Sequence, residues 1–178
     1  MSRILLLSNG HGEDLSGALI GKALKQFDHH VDALPFVGVG DSYKASGIRT
    51  IGKAKEFSTG GIGYTSLSGR LTEIIQGQLF YLVGRLLRLL FIASHYDLLV
   101  VIGDVVTVIA AWLPSLPLVR YLVAYSSHYE GELRLPWPCA NCLSSQRFLS
   151  IYTRDQLTAQ DLTTQLSTNV EFLGNPFM

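Results

Sequence analysis

Residues 3–14 read Arg3-Ile4-Leu5-Leu6-Leu7-Ser8-Asn9-Gly10-His11-Gly12-Glu13-Asp14, and this stretch decides the fold class. Residues 3–8 form a short, nearly all-apolar run, as expected of a parallel strand buried on both faces. A glycine-containing loop follows. Beyond it Leu15, Ala18, Leu19, Lys22, Ala23 and Phe27 recur at helical spacing, with Asp14 positioned to cap the helix. Strand, loop and helix together make the first half of a parallel crossover unit.

The alternation continues outward from there. A second strand is expected over 31–37, a turn at Gly38-Val39-Gly40-Asp41, a short helix over 43–47 and a third strand over 48–51. Residues 53–68 contain Ser58, Thr59, Gly60, Gly61, Gly63 and Ser66 and read as a loop. Residues 71–93 carry Leu71, Ile74, Ile75, Leu79, Leu82, Leu86, Leu90 and Ala93 on one helical face. The clearest strand is 98–102, ending at Gly103-Asp104, and an apolar helix over 105–112 is closed by Pro114. A strand over 118–124, a long connection over 125–145, a strand over 148–152, a helix over 154–166 and a strand over 170–173 complete the series. Strands alternating with helices specify an α/β fold: a Rossmann-like, doubly wound parallel sheet in one domain spanning 1–178.

Composition excludes several roles. Charged residues are 16% of the chain, against about 25% in an ordinary soluble domain, and apolar residues are 48%. The formal net charge is zero, so no basic excess points to nucleic acid. A chain this apolar is expected to cover one surface with a second domain or a membrane. Yet Arg85 and Arg88 interrupt 79–93, and Asp104 interrupts 98–113, so neither run reaches the ~20 apolar residues of a membrane span. The N-terminal apolar run stops at Ser8 without a cleavage signal. A cytoplasmic protein with a membrane-contacting face is the expectation. Cys139 and Cys142 are a lone Cys-x-x-Cys in a proline-rich loop; with no second pair, they read as two reduced thiols rather than a zinc site.

Ligands of such sheets bind beyond the carboxyl ends of the strands. Three groups of residues fall there. In the first loop, Gly10 and Gly12 let backbone N–H groups approach a ligand at the positive end of a helix. The dinucleotide fingerprint is incomplete, because the next glycine is Gly17, and this argues against a nicotinamide-dependent oxidoreductase. His11 at the crown of that loop is either a structural hydrogen-bonding residue or a catalyst. Glu13 and Asp14 are explained equally by the helix dipole or by ligand contact. Asp104 at the mouth of the most apolar strand is a candidate general base, and also a natural N-cap. Ser126-Ser127-His128-Tyr129-Glu130 lacks a nucleophile elbow and reads as a ligand-contacting loop, with Ser127 and His128 as candidates. Arg85 and Arg88 edge the long apolar helix, either as a membrane-facing pair or as arginines snorkelling from a core helix.

Residues 6–14, then Gly103-Asp104, then Phe172-Leu173-Gly174-Asn175-Pro176, together resemble the N-terminal half of lipid-A-disaccharide synthase relatives, in the branch called lipid-A-disaccharide synthase-related. Those are inverting glycosyltransferases of the two-domain GT-B architecture. The resemblance implies an acceptor-side domain in which Asn9, Gly10, Gly12, Glu13 and Asp14 face an interdomain cleft. It also implies that Asp104 deprotonates an acceptor hydroxyl, with His11 as the second catalytic candidate. The implied donor is a UDP-sugar held mainly by a C-terminal half, the acceptor is lipid-linked, and neither metal nor other cofactor takes part. Residues 53–68 and the long helix become the apolar acceptor region at the membrane surface. The chain ends at Met178, so the nucleotide-binding half is expected to be missing and the chain alone inactive. A face without its partner domain could also pair into a homodimer. The sequence carries Gly12-Glu13-Asp14 where lipid A synthases have Ser-Gly-Asp, a difference that bears on the acceptor. The competing reading is a non-catalytic α/β module that binds a ligand or docks a partner.

Overall fold

The computed structural model describes residues 1–52, 77–122, 125–131, 134–166 and 168–174. Seven strands form one sheet in which every paired strand is parallel: β1 (Arg3–Ser8), β2 (His30–Pro35), β3 (Arg49–Thr50), β4 (Leu98–Ile102), β5 (Leu118–Leu122), β6 (Phe148–Thr153) and β7 (Val170–Phe172). Their order is β3-β2-β1-β4-β5-β6-β7. The winding reverses between β1 and β4, and this switch point is where such sheets open a crevice.

The alternation of side chains along β1 explains the two layers. Leu5 and Leu7 share one core with Leu34, Leu99, Val101 and Val108, while Ile4 and Leu6 join Ala18, Ala33, Tyr43, Val100 and Ile102 on the other face. Leu5, Leu6 and Leu7 are completely buried, each worth about 1.5–3 kcal/mol of apolar burial. Helices α1 (His11–Gln26) and α2 (Asp41–Ala45) cover the face carrying Ala18 and Tyr43. Helices α3 (Gln78–Ala93), α4 (Val105–Trp112), α6 (Trp137–Leu143) and α7 (Gln156–Leu166) bury Leu89, Val108, Leu143 and Leu162 against the opposite face. A short α5 (Ser127–Glu130) follows β5.

At the opposite end of the sheet from the crevice, buried Asp32 of β2 ties three elements together. It accepts two hydrogen bonds from its register partner Arg49, at 2.9 and 2.8 Å, and one from the Tyr96 hydroxyl at 2.6 Å.

Several expectations are corrected. Asp14 is not the N-cap of α1. The helix starts at His11 with Gly10 as cap, and Asp14 lies buried in the first turn because its carboxyl is taken by Ser8. β2 stops at Pro35, short of Val37, since proline has no N–H to continue the ladder. α2 begins at Asp41 and ends before Gly47, whose φ of +66° turns the chain. The long connection after β5 folds into α5 and α6, so Cys139 and Cys142 lie on a helix rather than in a loop. Both are free thiols and Cys139 is buried. Arg85 does not face outward. It is 4% exposed, and its guanidinium donates to the carbonyls of Ile51 and Pro35, whereas Arg88 is exposed. The loop over 53–68, the first part of the helix over 71–76, and Asn175-Pro176 lie outside the described residues. Among the described residues no helix is long and apolar enough to cross a membrane. α3 does expose Phe80, Val83, Leu87, Leu90 and Phe91.

Candidate functional site

The site is built where β1 and β4 end side by side. β1 delivers Ser8 and Asn9, both buried, and α1 brings Glu13 and Asp14 back over them. β4 delivers Gly103 and Asp104 one strand away. The Asn9 side-chain amide donates to Asp104 Oδ2 at 2.6 Å, and the Asn9 backbone N–H donates to Glu13 Oε2 at 2.6 Å. One asparagine thus holds two carboxyl groups from separate elements.

Asp104 is the N-cap of α4, as one sequence reading required. Its Oδ1 accepts from the backbone N–H groups of Val106 at 3.0 Å and Thr107 at 3.4 Å. Capping therefore fixes the carboxylate, and the Asn9 bond turns its other oxygen toward β1. Gly103 makes the approach of Glu13 feasible. Its φ is +135°, and a Cβ there would overlap the Glu13 carboxyl.

The two carboxyls differ in the hydrogen bonds that oppose their burial. Burial, reinforced by the nearby Asp104 charge, pushes Glu13 up from 4.5 to about 8, against the single Asn9 backbone bond. Asp104 is raised from its ordinary value too, chiefly by burial, but Asn9, Thr107 and Val106 all donate to it and hold it down. At neutral pH Glu13 carries its proton, whereas Asp104 has three hydrogen-bond donors that favour its charged form. Environments that push paired carboxyls apart are how one site obtains an ionised and a neutral acid.

Beneath the pair lies Arg120 of β5, 1% exposed and missed by sequence reasoning. Its Nη2 donates to the Gly103 carbonyl at 3.0 Å, and its charge bears on both Asp104 and Glu13. Burial lowers its own pKa, opposed by the adjacent Cys139 thiol and the two carboxyls. The available signal was a charge in the middle of the apolar run Leu118-Val119-Arg120-Tyr121-Leu122. A second buried network also escaped notice. The Tyr43 hydroxyl donates to Ser8 Oγ at 3.0 Å, and Ser8 Oγ donates to Asp14 Oδ1 at 2.5 Å. Burial raises Asp14 from 3.8 to about 6, while the Ser8 bond and the His11 charge restrain it.

The remaining sequence candidates divide. His11 is exposed at the first position of α1, close enough for its charge to act on Asp14. Gly10 and Gly12 have open space where a Cβ would stand, so the helix start presents bare backbone to the crevice. Ser127 and His128 belong to another neighbourhood. Ser127 is buried and its N–H donates to Thr158 Oγ1 of α7 at 2.8 Å, while exposed His128 meets the Tyr129 ring edge-on. Among the described residues no cluster of three or more His, Cys, Asp or Glu side chains could hold a metal ion.

The molecule is therefore an α/β protein of the Rossmann-like, doubly wound class with a paired-carboxyl crevice at its switch point. Three solved structures share the fold over nearly the whole chain. The HepE protein of Anabaena (Alr3699), solved with UDP and glucose, is 15% identical, with a TM-score of 0.61 over 98% of this chain and 44% of its own. A glycosyltransferase from Rickettsia africae ESF-5 is 10% identical, with a TM-score of 0.52 over 97% of this chain and 43% of its own. A candidate UDP-N-acetylglucosamine 2-epimerase from Listeria monocytogenes is 12% identical, with a TM-score of 0.50 over 93% and 42%. The chain shares its fold with part of each of these structures and spans under half of their length. No family model and no curated protein sequence matches it.

Proposed function

We propose that this chain is the acceptor-side, N-terminal domain of an inverting GT-B glycosyltransferase resembling lipid-A-disaccharide synthase. In this reading a hexosyl group passes from a UDP-sugar to a lipid-linked acceptor. The observation that carries the proposal is the Asn9–Asp104 bond at the switch point, which holds the Asp104 carboxyl beside a protonated Glu13. Asp104 takes the proton of the acceptor hydroxyl as that oxygen attacks the anomeric carbon. The bond to the donor phosphate breaks on the opposite side and UDP leaves with its electron pair. Glu13 stays neutral and keeps Asn9 in place. His11, with Gly10 and Gly12, lines the acceptor wall at the positive end of α1, with Asp14 buried behind it, and Ser127 and His128 stand apart from this wall.

The donor belongs to a second domain, without which the chain does not turn over, and no metal enters the reaction. The exposed apolar face of α3 supports peripheral contact with a membrane from the cytoplasmic side, or self-association into a homodimer.

The test is UDP release by the complete two-domain gene product, given a lipid-linked acceptor. Asp104→Ala is expected to lower kcat by about 10²–10⁴, the usual contribution of a general base. A variant with full activity removes Asp104 from this role.

A further inference from the structure

α3 carries two guanidinium groups that the reaction above does not use. Arg85 is 96% buried by the measure of its 4% exposure, and it is pinned from two sides. Nη1 donates to the Ile51 carbonyl at 3.0 Å and Nη2 to the Pro35 carbonyl, while its buried Nε has no partner among the described residues. Its guanidinium lies over the Tyr81 ring, with 5.7 Å from Cζ to the centroid. Arg88 comes up beside it. A Cβ on Gly52, which has φ +74°, would stand 2.8 Å from Arg85 Nη1 and 2.9 Å from Arg88 Nη1. The two charges therefore converge over bare backbone that only glycine leaves open.

Gly52, Phe80, Tyr81, Gly84, Arg85 and Arg88 line an open pocket of about 530 Å³, within the range of small-molecule sites. None of those residues is acidic. Among the described residues, the one carboxylate whose charge reaches Arg85 is Asp14, and Asp14 already accepts from Ser8. Two like charges placed together, one of them stripped of water, repel unless an anion lies between them. The cavity also opens where β2 and β3 end, on the same edge of the sheet as Asp104.

We propose that Arg85 and Arg88 form a pocket for a phosphate-type oxyanion, with Arg85 as the fixed, preorganised donor and Arg88 as the arm that closes on the ligand. Guanidinium groups suit this task because their planar donors match phosphate oxygens in pairs. Attributing that phosphate to the acceptor substrate rests on the transferase reading; the pocket itself does not.

The experiment is a ¹⁵N–¹H NMR titration of the chain with inorganic phosphate at low ionic strength, with chloride as the ionic-strength control. Saturable shifts are expected at Gly52, Tyr81, Gly84 and Arg88. Arg88→Ala, a substitution at an exposed position outside the core, is expected to weaken binding about tenfold or more. Arg88→Lys should retain part of the affinity, and Asp104→Ala should bind as the parent does. A parallel flotation assay uses phosphatidylcholine vesicles with and without phosphatidic acid. Arg88-dependent capture by the acidic vesicles assigns the oxyanion to a lipid headgroup, and binding of phosphate without capture assigns it to a soluble phosphate group. Unchanged binding in Arg88→Ala, or non-saturable shifts spread over all basic residues, overturns the pocket. Turnover is not measured, so either outcome leaves the proposed function to its own test.

Discussion

The Asn9 amide reaches Asp104 Oδ2 across 2.6 Å, joining residues 95 positions apart and locking the loop after β1 to the loop after β4. The same asparagine holds Glu13 through its backbone N–H, so one residue sets the geometry of both carboxyls.

Asn9→Ala removes a donor that lowers the Asp104 pKa. Asp104 then keeps its proton to higher pH, and under the proposed function the acid limb of the kcat/KM profile of the two-domain transferase moves upward. Loss of a hydrogen bond to a charged group costs about 1.5–3 kcal/mol. An acid limb that stays in place would falsify the coupling.

Glu13→Gln should change how stability depends on pH. Because Glu13 titrates near 8 in the fold and near 4.5 when unfolded, the native state holds a proton that the unfolded chain releases between those values. Stability thus falls as pH rises from about 4.5 to about 8 and levels off above. Glutamine removes that slope, so urea midpoints of the variant should gain on the parent at pH 9 relative to pH 4. Parallel curves for the two proteins speak against a neutral Glu13. Asp14 adds a similar slope up to about 6 in both proteins and cancels from the comparison.

Gly103→Ala combines a positive φ with a clash on the Glu13 carboxyl. The expected loss is about 1–3 kcal/mol from backbone strain alone. Placing the change in a Glu13→Ala background should recover part of it, and a double-mutant cycle with no interaction energy contradicts the contact.

Tyr96→Phe probes the far end of the sheet. Burial opposes the charge on Asp32, but hydrogen bonds from Arg49 and Tyr96, with the charges of Arg49 and His30, outweigh it and hold its pKa below 3.8. That stability is present above 3.8 and lost as pH falls through the folded value. Without the Tyr96 donor the folded pKa rises, so acid unfolding should begin at higher pH, with about 1.5–3 kcal/mol lost near neutrality. An unchanged acid midpoint removes Tyr96 from the network.

Much of the fold was legible because apolar periodicity is a local property. The run 98–102 and the helix 105–112 were read with the bounds they have, since Gly103 and Asp104 separate them with local turn and cap chemistry. Boundaries went wrong where a distant partner intervened. Asp14 looked like a cap from its neighbours in sequence, but Ser8 and Tyr43 claimed its environment. Arg85 looked like a surface residue on an amphipathic helix, but the carbonyl ends of β2 and the residue after β3 captured it.

By itself the sequence determined the alternating elements, the buried parallel sheet and the places where chemistry-bearing residues leave the strands, because spacing and turn residues act over a few positions. Only the tertiary structure decided which of those residues meet. It paired Asn9 with Asp104, drew Glu13 against Gly103, buried Arg120 beneath them and set Ser127 and His128 apart. The reason is physical: charge states and hydrogen bonds depend on desolvation and on partners brought close by strand order, and no stretch of contiguous sequence carries that order.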